Sequence, residues 1–219
     1  MVNAPAQPPE WLVASATGDL RRKTQAYRLA TNTLKVQDGT SVSGEDNGWR
    51  NLRQVKTLLG KGGWKRSPLQ IAFHNKCIAA SLSLLFGDSW PVHRREALAQ
   101  EGLEYEQPLV FGSLPRRFGK TVALSVFTAS ILLTKGVAVL VMSMSGRAAD
   151  SLLQAIRESI LSMVKTTGAP IIVTANSKTE FAFRLHGVPR SVKSLPSMNI
   201  RGQGGDLLLL DEVGRVLSL

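Results

Sequence analysis

Cysteine is almost absent from the 219-residue chain, with Cys77 standing alone inside an apolar helical pattern. A lone thiol has no intrachain partner, so neither a disulfide framework nor a cysteine-based zinc site can form, and a reducing compartment fits. Aromatic residues are sparse at 6%, and the three histidines, His74, His93 and His186, show no metal-ligand spacing, so all read as surface or packing residues. Long apolar runs are missing too. The longest uncharged stretch, residues 121–134, has 14 residues with several Ser and Thr among them, short of the roughly 18 a spanning helix needs. The N-terminus lacks the basic start and apolar core of a secretory signal. These absences lead to the expectation of a soluble, intracellular protein with no membrane partner.

Acidic residues are also under-represented: 16 Asp and Glu face 27 Lys and Arg, for a net charge of +11. Such a surplus favours a polyanionic partner, nucleic acid above all. Apolar content of 43% and charged content of 20% are ordinary globular values, which exclude wholesale disorder. The length suits one domain with an attached segment.

A basic N-terminal segment over 1–66 is expected, partly disordered or forming a small helical lobe. It opens on a Pro-rich tail, passes through Arg21-Arg22-Lys23, and includes a polar Gly/Ser/Asp linker over 37–48. Helices are expected over 20–35 and 49–59. Trp49 and Trp64 flank the second of these. Base stacking is open to them, but anchoring a helical lobe is the commoner role.

From Ser67 the punctuation sharpens. Ser67-Pro68 supplies an N-cap and a first-turn proline for a helix over 69–86, followed by a helix over 93–100. A short strand over 108–111 and an uncharged helix over 120–133 come next. The apolar run 137–142 reads as a strand buried on both faces, and Ser145 caps a helix whose Leu152, Leu153, Ile156, Ile160, Met163 and Val164 share a face. Strands are expected over 171–173, 180–185 and 207–210, the last a buried one. The alternation predicts an α/β fold with a mainly parallel sheet flanked by helices.

The chemistry concentrates in residues 112–121, Gly-Ser-Leu-Pro-Arg-Arg-Phe-Gly-Lys-Thr, between the expected strand and helix. A loop there aims backbone N–H groups at the helix N-terminus, where the dipole and unpaired amides bind phosphate. Lys120 would reach the β- and γ-phosphates, the Thr121 hydroxyl would ligate magnesium, and Gly119 would let the backbone turn tightly beside the phosphates, with Phe118 before it also in the nucleotide-binding loop. The usual pattern places its first glycine at 114, where this chain has Leu114. Gly119-Lys120-Thr121 alone is more often a basic loop that happens to precede a helix. Downstream, Asp206-Leu-Leu-Leu-Leu-Asp211-Glu212 brings two carboxylates to the end of an apolar strand, where Asp211 would hold magnesium and Glu212 would polarise water as general base.

Together these residues resemble the large subunit of viral terminases, the DNA-packaging ATPases of tailed phages and herpesviruses, over residues 68–213. The most specific piece is residues 114–121, because that family carries a deviant phosphate loop with arginine in place of small residues and no first glycine. The form with two adjacent arginines is similar to the herpesvirus-type branch. Residues 191–197 and 199–203 resemble the family's run into its acidic motif. The resemblance implies a P-loop NTPase fold with an additional strand, over 67–219, using ATP and Mg2+. It implies that Arg116 senses the γ-phosphate and stabilises transition-state charge, that Arg117 shares that task or faces DNA, and that Gln70 contacts adenine. It implies double-stranded DNA, further copies in a motor ring, a portal and a small terminase subunit as partners. The setting would be an infected host cell, the nucleus for a herpesvirus-like system and the cytoplasm for a phage.

Residues 201–205, Arg-Gly-Gln-Gly-Gly, suit either a flexible approach to nucleotide or DNA or a plain turn. Lys76, Arg94 and Arg95 read as solvated charges. The sequence ends seven residues after Glu212, without the family's coupling motif or its nuclease carboxylates, and the expectation is a fragment truncated after the acidic strand. Two other readings stay open: a helicase-like DNA translocase, and a truncated fragment that binds nucleotide or DNA without catalysis.

Overall fold

The computed structural model describes residues 46–61, 64–114, 117–143, 145–196 and 204–211. The chain divides into two units, Met1–Gly44 and Glu45–Leu219. The first, with the helix expected over 20–35, lies outside the described residues.

In chain order the second unit holds helices α1 (Asn47–Lys61), α2 (Pro68–Ala80) and α3 (Leu82–Phe86), a 3-10 turn at Gly87–Ser89, then helices α4 (Trp90–Gln100) and α5 (Lys120–Thr134). Strand β1 (Ala138–Ser143), helix α6 (Gly146–Thr167) and strands β2 (Ile171–Asn176), β3 (Glu180–Leu185), β4 (Val188–Pro196) and β5 (Leu207–Asp211) follow. The fold is α/β, a mixed five-stranded sheet packed by helices, in the order β2-β3-β4-β1-β5.

The boundary expected after residue 66 does not match the packing. Leu52, Val55 and Leu59, at helical spacing on α1, are buried against α3 and α5 in the common core. Trp49 anchors the same helix, its ring edge-on to Phe86 at 5.0 Å. The linker's last residues, Asn47 and Gly48, are already helical.

Ser67 caps α2 as the sequence suggests. Its hydroxyl accepts from the Gln70 amide at 3.2 Å, and Gln70 Oε1 accepts from the Ser67 amide at 3.0 Å, a reciprocal capping box with Pro68 in the first turn. The expected continuous helix over 69–86 is interrupted at Ser81, whose amide turns to the Ile78 carbonyl at 2.9 Å. Cys77 is buried on α2, and burial pushes its thiol up to about 12.

The sheet corrects the expectation of a mainly parallel arrangement. β1 pairs in parallel with β4 and β5, whereas β2-β3-β4 is an antiparallel meander. The cause is a hairpin at residues 186–187: His186 and Gly187 both take left-handed backbone, with φ of 52° and 80°, as a two-residue hairpin turn requires. His186 does not advertise such a turn as Asn would, so β4 went unrecognised. Residues 108–111 form no strand. Leu109 is 79% and Phe111 85% exposed, and no strand among the described residues takes up their backbone groups. β5 is buried on one face only: Leu209 is 7% exposed while Leu208 and Leu210 are each 52% exposed.

In this register Val139, Val141 and Ser143 of β1 share a face with Leu209 and Asp211 of β5 and with Val192 of β4. The apolar stripe of α6, Leu152, Leu153, Ile156, Ile160 and Met163, is buried where that helix packs on β1, β3 and β4. Ser145 caps its start and Gly168, left-handed, ends it. α5 packs along α6.

Candidate nucleotide site

Helix α5 can be buried almost all round because its hydroxyls bond inward. Ser125 donates to the Val122 carbonyl, Thr128 to Leu124 and Ser130 to Val126, at 2.8–2.9 Å, so these buried hydroxyls need no water. Among the described residues no single helix is long and apolar enough to cross a membrane.

At the start of α5 stands Gly119, with φ of 79° and no side-chain cap, which leaves the first-turn amides for another acceptor. The left-handed backbone favours glycine here, and a Cβ at Gly119 would meet Gln70 Nε2 at 3.0 Å, so that carboxamide would have to give way. Arg117, two residues earlier, is exposed and also left-handed at φ 66°, an uncommon conformation for a residue with a Cβ. Phe118 lies between them, its ring edge-on to Phe73 at 6.0 Å.

Helix α2 grips this junction at two points one turn apart. Gln70 Nε2 donates to the Phe118 carbonyl at 2.9 Å. His74, 1% exposed, meets the Ala123 carbonyl through Nε2 at 2.9 Å and the Arg66 guanidinium through Nδ1 at 3.2 Å. A carbonyl only accepts and a guanidinium only donates, so the ring is neutral with its proton on Nε2. Burial holds its pKa below the usual histidine value; the Ala123 bond opposes that shift and Arg66 adds to it. The packing role expected of His74 is what the structure shows. His74, Gln70, Trp64, Lys65, Arg66 and Val122 line a small cleft beside α5.

The two sequence motifs meet. Lys120 Nζ lies 2.6 Å from Asp211 Oδ1, with Asp211 buried at the last position of β5. β5 runs parallel to β1, so Asp211 and Ser143 end neighbouring strands on the same edge of the sheet, where α/β folds bind ligands. Thr121 follows Lys120 in the first helical turn and is exposed. Asp206 lies at the other end of β5, where its carboxylate accepts from the Ala138 amide at 2.8 Å and pins the strand's start. Arg116, Glu212 and residues 197–203 lie outside the described residues.

Among the described residues no three His, Cys, Asp or Glu side chains gather as a metal cage. Magnesium does not require one, because it binds through one or two carboxylates together with substrate phosphates. One buried carboxylate, Asp211, beside a lysine and an uncapped helix N-terminus fits that donor set. Ser143, buried at the end of β1 on this edge of the sheet, was not identified from sequence. The available signal was its place directly after the apolar run 137–142.

The chain matches no protein-family model, and no curated protein matches it.

Proposed function

We propose that the chain is the ATPase portion of a DNA-packaging motor of the terminase type, a P-loop NTPase that couples ATP hydrolysis to translocation of double-stranded DNA into a capsid. The observation that carries this reading is the 2.6 Å contact of Lys120 with Asp211, which joins the basic loop before α5 to the acidic strand end.

In this reading the α5 amides and Lys120 bind the phosphates, and Gly119 lets the backbone approach them. Gln70 steadies the loop through Phe118 and keeps one amide N–H for a base. Thr121 and Asp211 would hold Mg2+, which when bound supplies charge neutralisation at the β- and γ-phosphate oxygens. Glu212, following Asp211, orients a water and takes its proton at the carboxylate. Arg116 offsets the charge that develops on the transferred phosphoryl, with Arg117 beside it. The surplus of basic residues suits DNA as partner. A ring of further copies, a portal, a small subunit and a setting inside an infected cell follow from the same reading.

The test is nucleotide binding and phosphate release by the full chain. Lys120→Ala should abolish binding, and Glu212→Gln should spare binding while stopping release. Equal loss of binding in both would overturn these roles.

A second reading, nucleotide or DNA binding without turnover, is favoured by residues 108–111, where Leu109 and Phe111 are exposed and no sheet strand precedes the loop among the described residues. Tight nucleotide binding with no phosphate release, with or without DNA, would select it.

A further inference from the structure

Among the described residues, Ser143 Oγ is the one hydroxyl oxygen that is shielded from solvent and has no hydrogen-bond partner. Other buried hydroxyls do have partners: Ser194, in the same sheet and on the same face, donates to Asp150 at 2.6 Å, and Ser159 donates to Ser125 at 3.1 Å. Ser143 is 3% exposed, so its unpaired oxygen is held out of water at a cost that an alanine would not carry. A buried polar group left unpaired in a folded chain calls for an explanation. Its position supplies one. Ser143 ends β1 directly opposite Asp211 on β5, on the same face, and paired strands place such residues about 5 Å apart. Apart from its ion pair with Lys120, Asp211 Oδ1 accepts no hydrogen bond.

We propose that Ser143 is a positioning residue for the magnesium–nucleotide site, its hydroxyl serving the Asp211 carboxylate, directly or through a bound water, once phosphate draws Lys120 away. This rests on the nucleotide reading of the loop and adds a residue to it. Lys120 cannot neutralise Asp211 and reach phosphates at full strength in both places. A hydroxyl beside the carboxylate keeps it oriented after the lysine turns, and such second partners fix the geometry of metal-binding groups.

The experiment compares the full-length wild type with Ser143→Ala and Ser143→Cys. Each is titrated with a fluorescent ATP analogue, with Mg2+ and with EDTA, and each is melted in urea. Ser143→Ala should bind the analogue about tenfold more weakly with Mg2+, and should need more Mg2+ to reach half-saturation. With EDTA it should match the wild type, and its urea midpoint should be unchanged or raised. Ser143→Cys, a poorer donor of similar volume, should fall between. Unchanged Mg2+-dependent binding in Ser143→Ala, or a lowered urea midpoint with an equal loss of binding under both conditions, would overturn the proposal and leave the nucleotide reading standing. A wild type that binds no analogue with Mg2+ would overturn the nucleotide reading itself, and this proposal with it.

Discussion

Gln70 and Phe118 are joined by a hydrogen bond of 2.9 Å across 48 positions, from the Gln70 carboxamide nitrogen to the Phe118 carbonyl. The same carboxamide's oxygen closes the capping box with Ser67, so one side chain ties the start of α2 to the loop before α5. Gln70→Glu separates the two tasks. Glutamate at this position still caps the helix, but a carboxylate cannot donate to a carbonyl. Stability should fall by about 1 kcal/mol, the worth of one hydrogen bond, and nucleotide affinity should fall several-fold. Urea denaturation alongside fluorescence titration measures both. Affinity equal to wild type would show that the loop does not depend on this grip.

Gly119 faces that nitrogen. Any side chain there meets a left-handed backbone and Gln70 Nε2 at 3.0 Å. Gly119→Ala should destabilise by about 1–2 kcal/mol from the backbone, with a steric part from Gln70 added to it. Adding Gln70→Ala should remove the steric part and leave the backbone part, so the double variant should lose less than the two single losses added together. Strict additivity in urea melts would locate the cost entirely in the backbone.

Lys120 and Asp211 form a pair in which the carboxylate is buried and the lysine side chain remains 36% exposed. Removing the lysine leaves a buried acid without its counter-charge, whereas removing both charges does not. Lys120→Met should cost about 1–3 kcal/mol, and the double variant with Asp211→Asn should recover part of it. A double-mutant cycle in urea gives the coupling, and a value near zero would argue that the contact carries no energy.

His74 supplies a pH dependence. Its folded pKa is lowered, chiefly by burial, from an ordinary value of 6.5, so the unfolded chain binds the proton more readily than the folded one. The contribution of His74 to stability is therefore complete above about pH 6.5 and is lost as pH falls below it towards the folded pKa. Urea midpoints measured from pH 8 to pH 5 should decline through that window in wild type. The decline should flatten in His74→Gln, which keeps a donor for Ala123 but takes up no proton. Parallel curves would assign the decline to other groups.

Patterns carried by neighbouring residues were legible in the chain. Ser67-Pro68 with Gln70, the stripe of α6 behind Ser145, the apolar run of β1 and the four leucines before Asp211 all act locally, through capping, helical periodicity or strand burial. They form where the sequence places them. Features that depend on partners distant in sequence were not legible. The antiparallel half of the sheet turns on His186 accepting a left-handed backbone, and the one-sided burial of β5 depends on its place in the sheet order. The lack of a strand at 108–111 goes with having no paired neighbour among the described residues, a condition no local pattern records.

The candidate site divides the same way. The sequence by itself determined that a basic loop ending in Gly119, Lys120 and Thr121 opens a helix, and that Asp211 ends an apolar strand, because backbone freedom and residue type are local properties. Tertiary structure alone decided that Lys120 reaches Asp211, that Gln70 and His74 of α2 clamp the loop and helix behind it, and that Ser143 stands buried and unpartnered opposite the carboxylate. These are consequences of parallel pairing between β1 and β5 and of the packing of α2 on α5. Only the folded chain brings Lys120 to Asp211 and the α2 side chains to the loop and helix behind it, and excludes from Ser143 the water that would otherwise satisfy its hydroxyl.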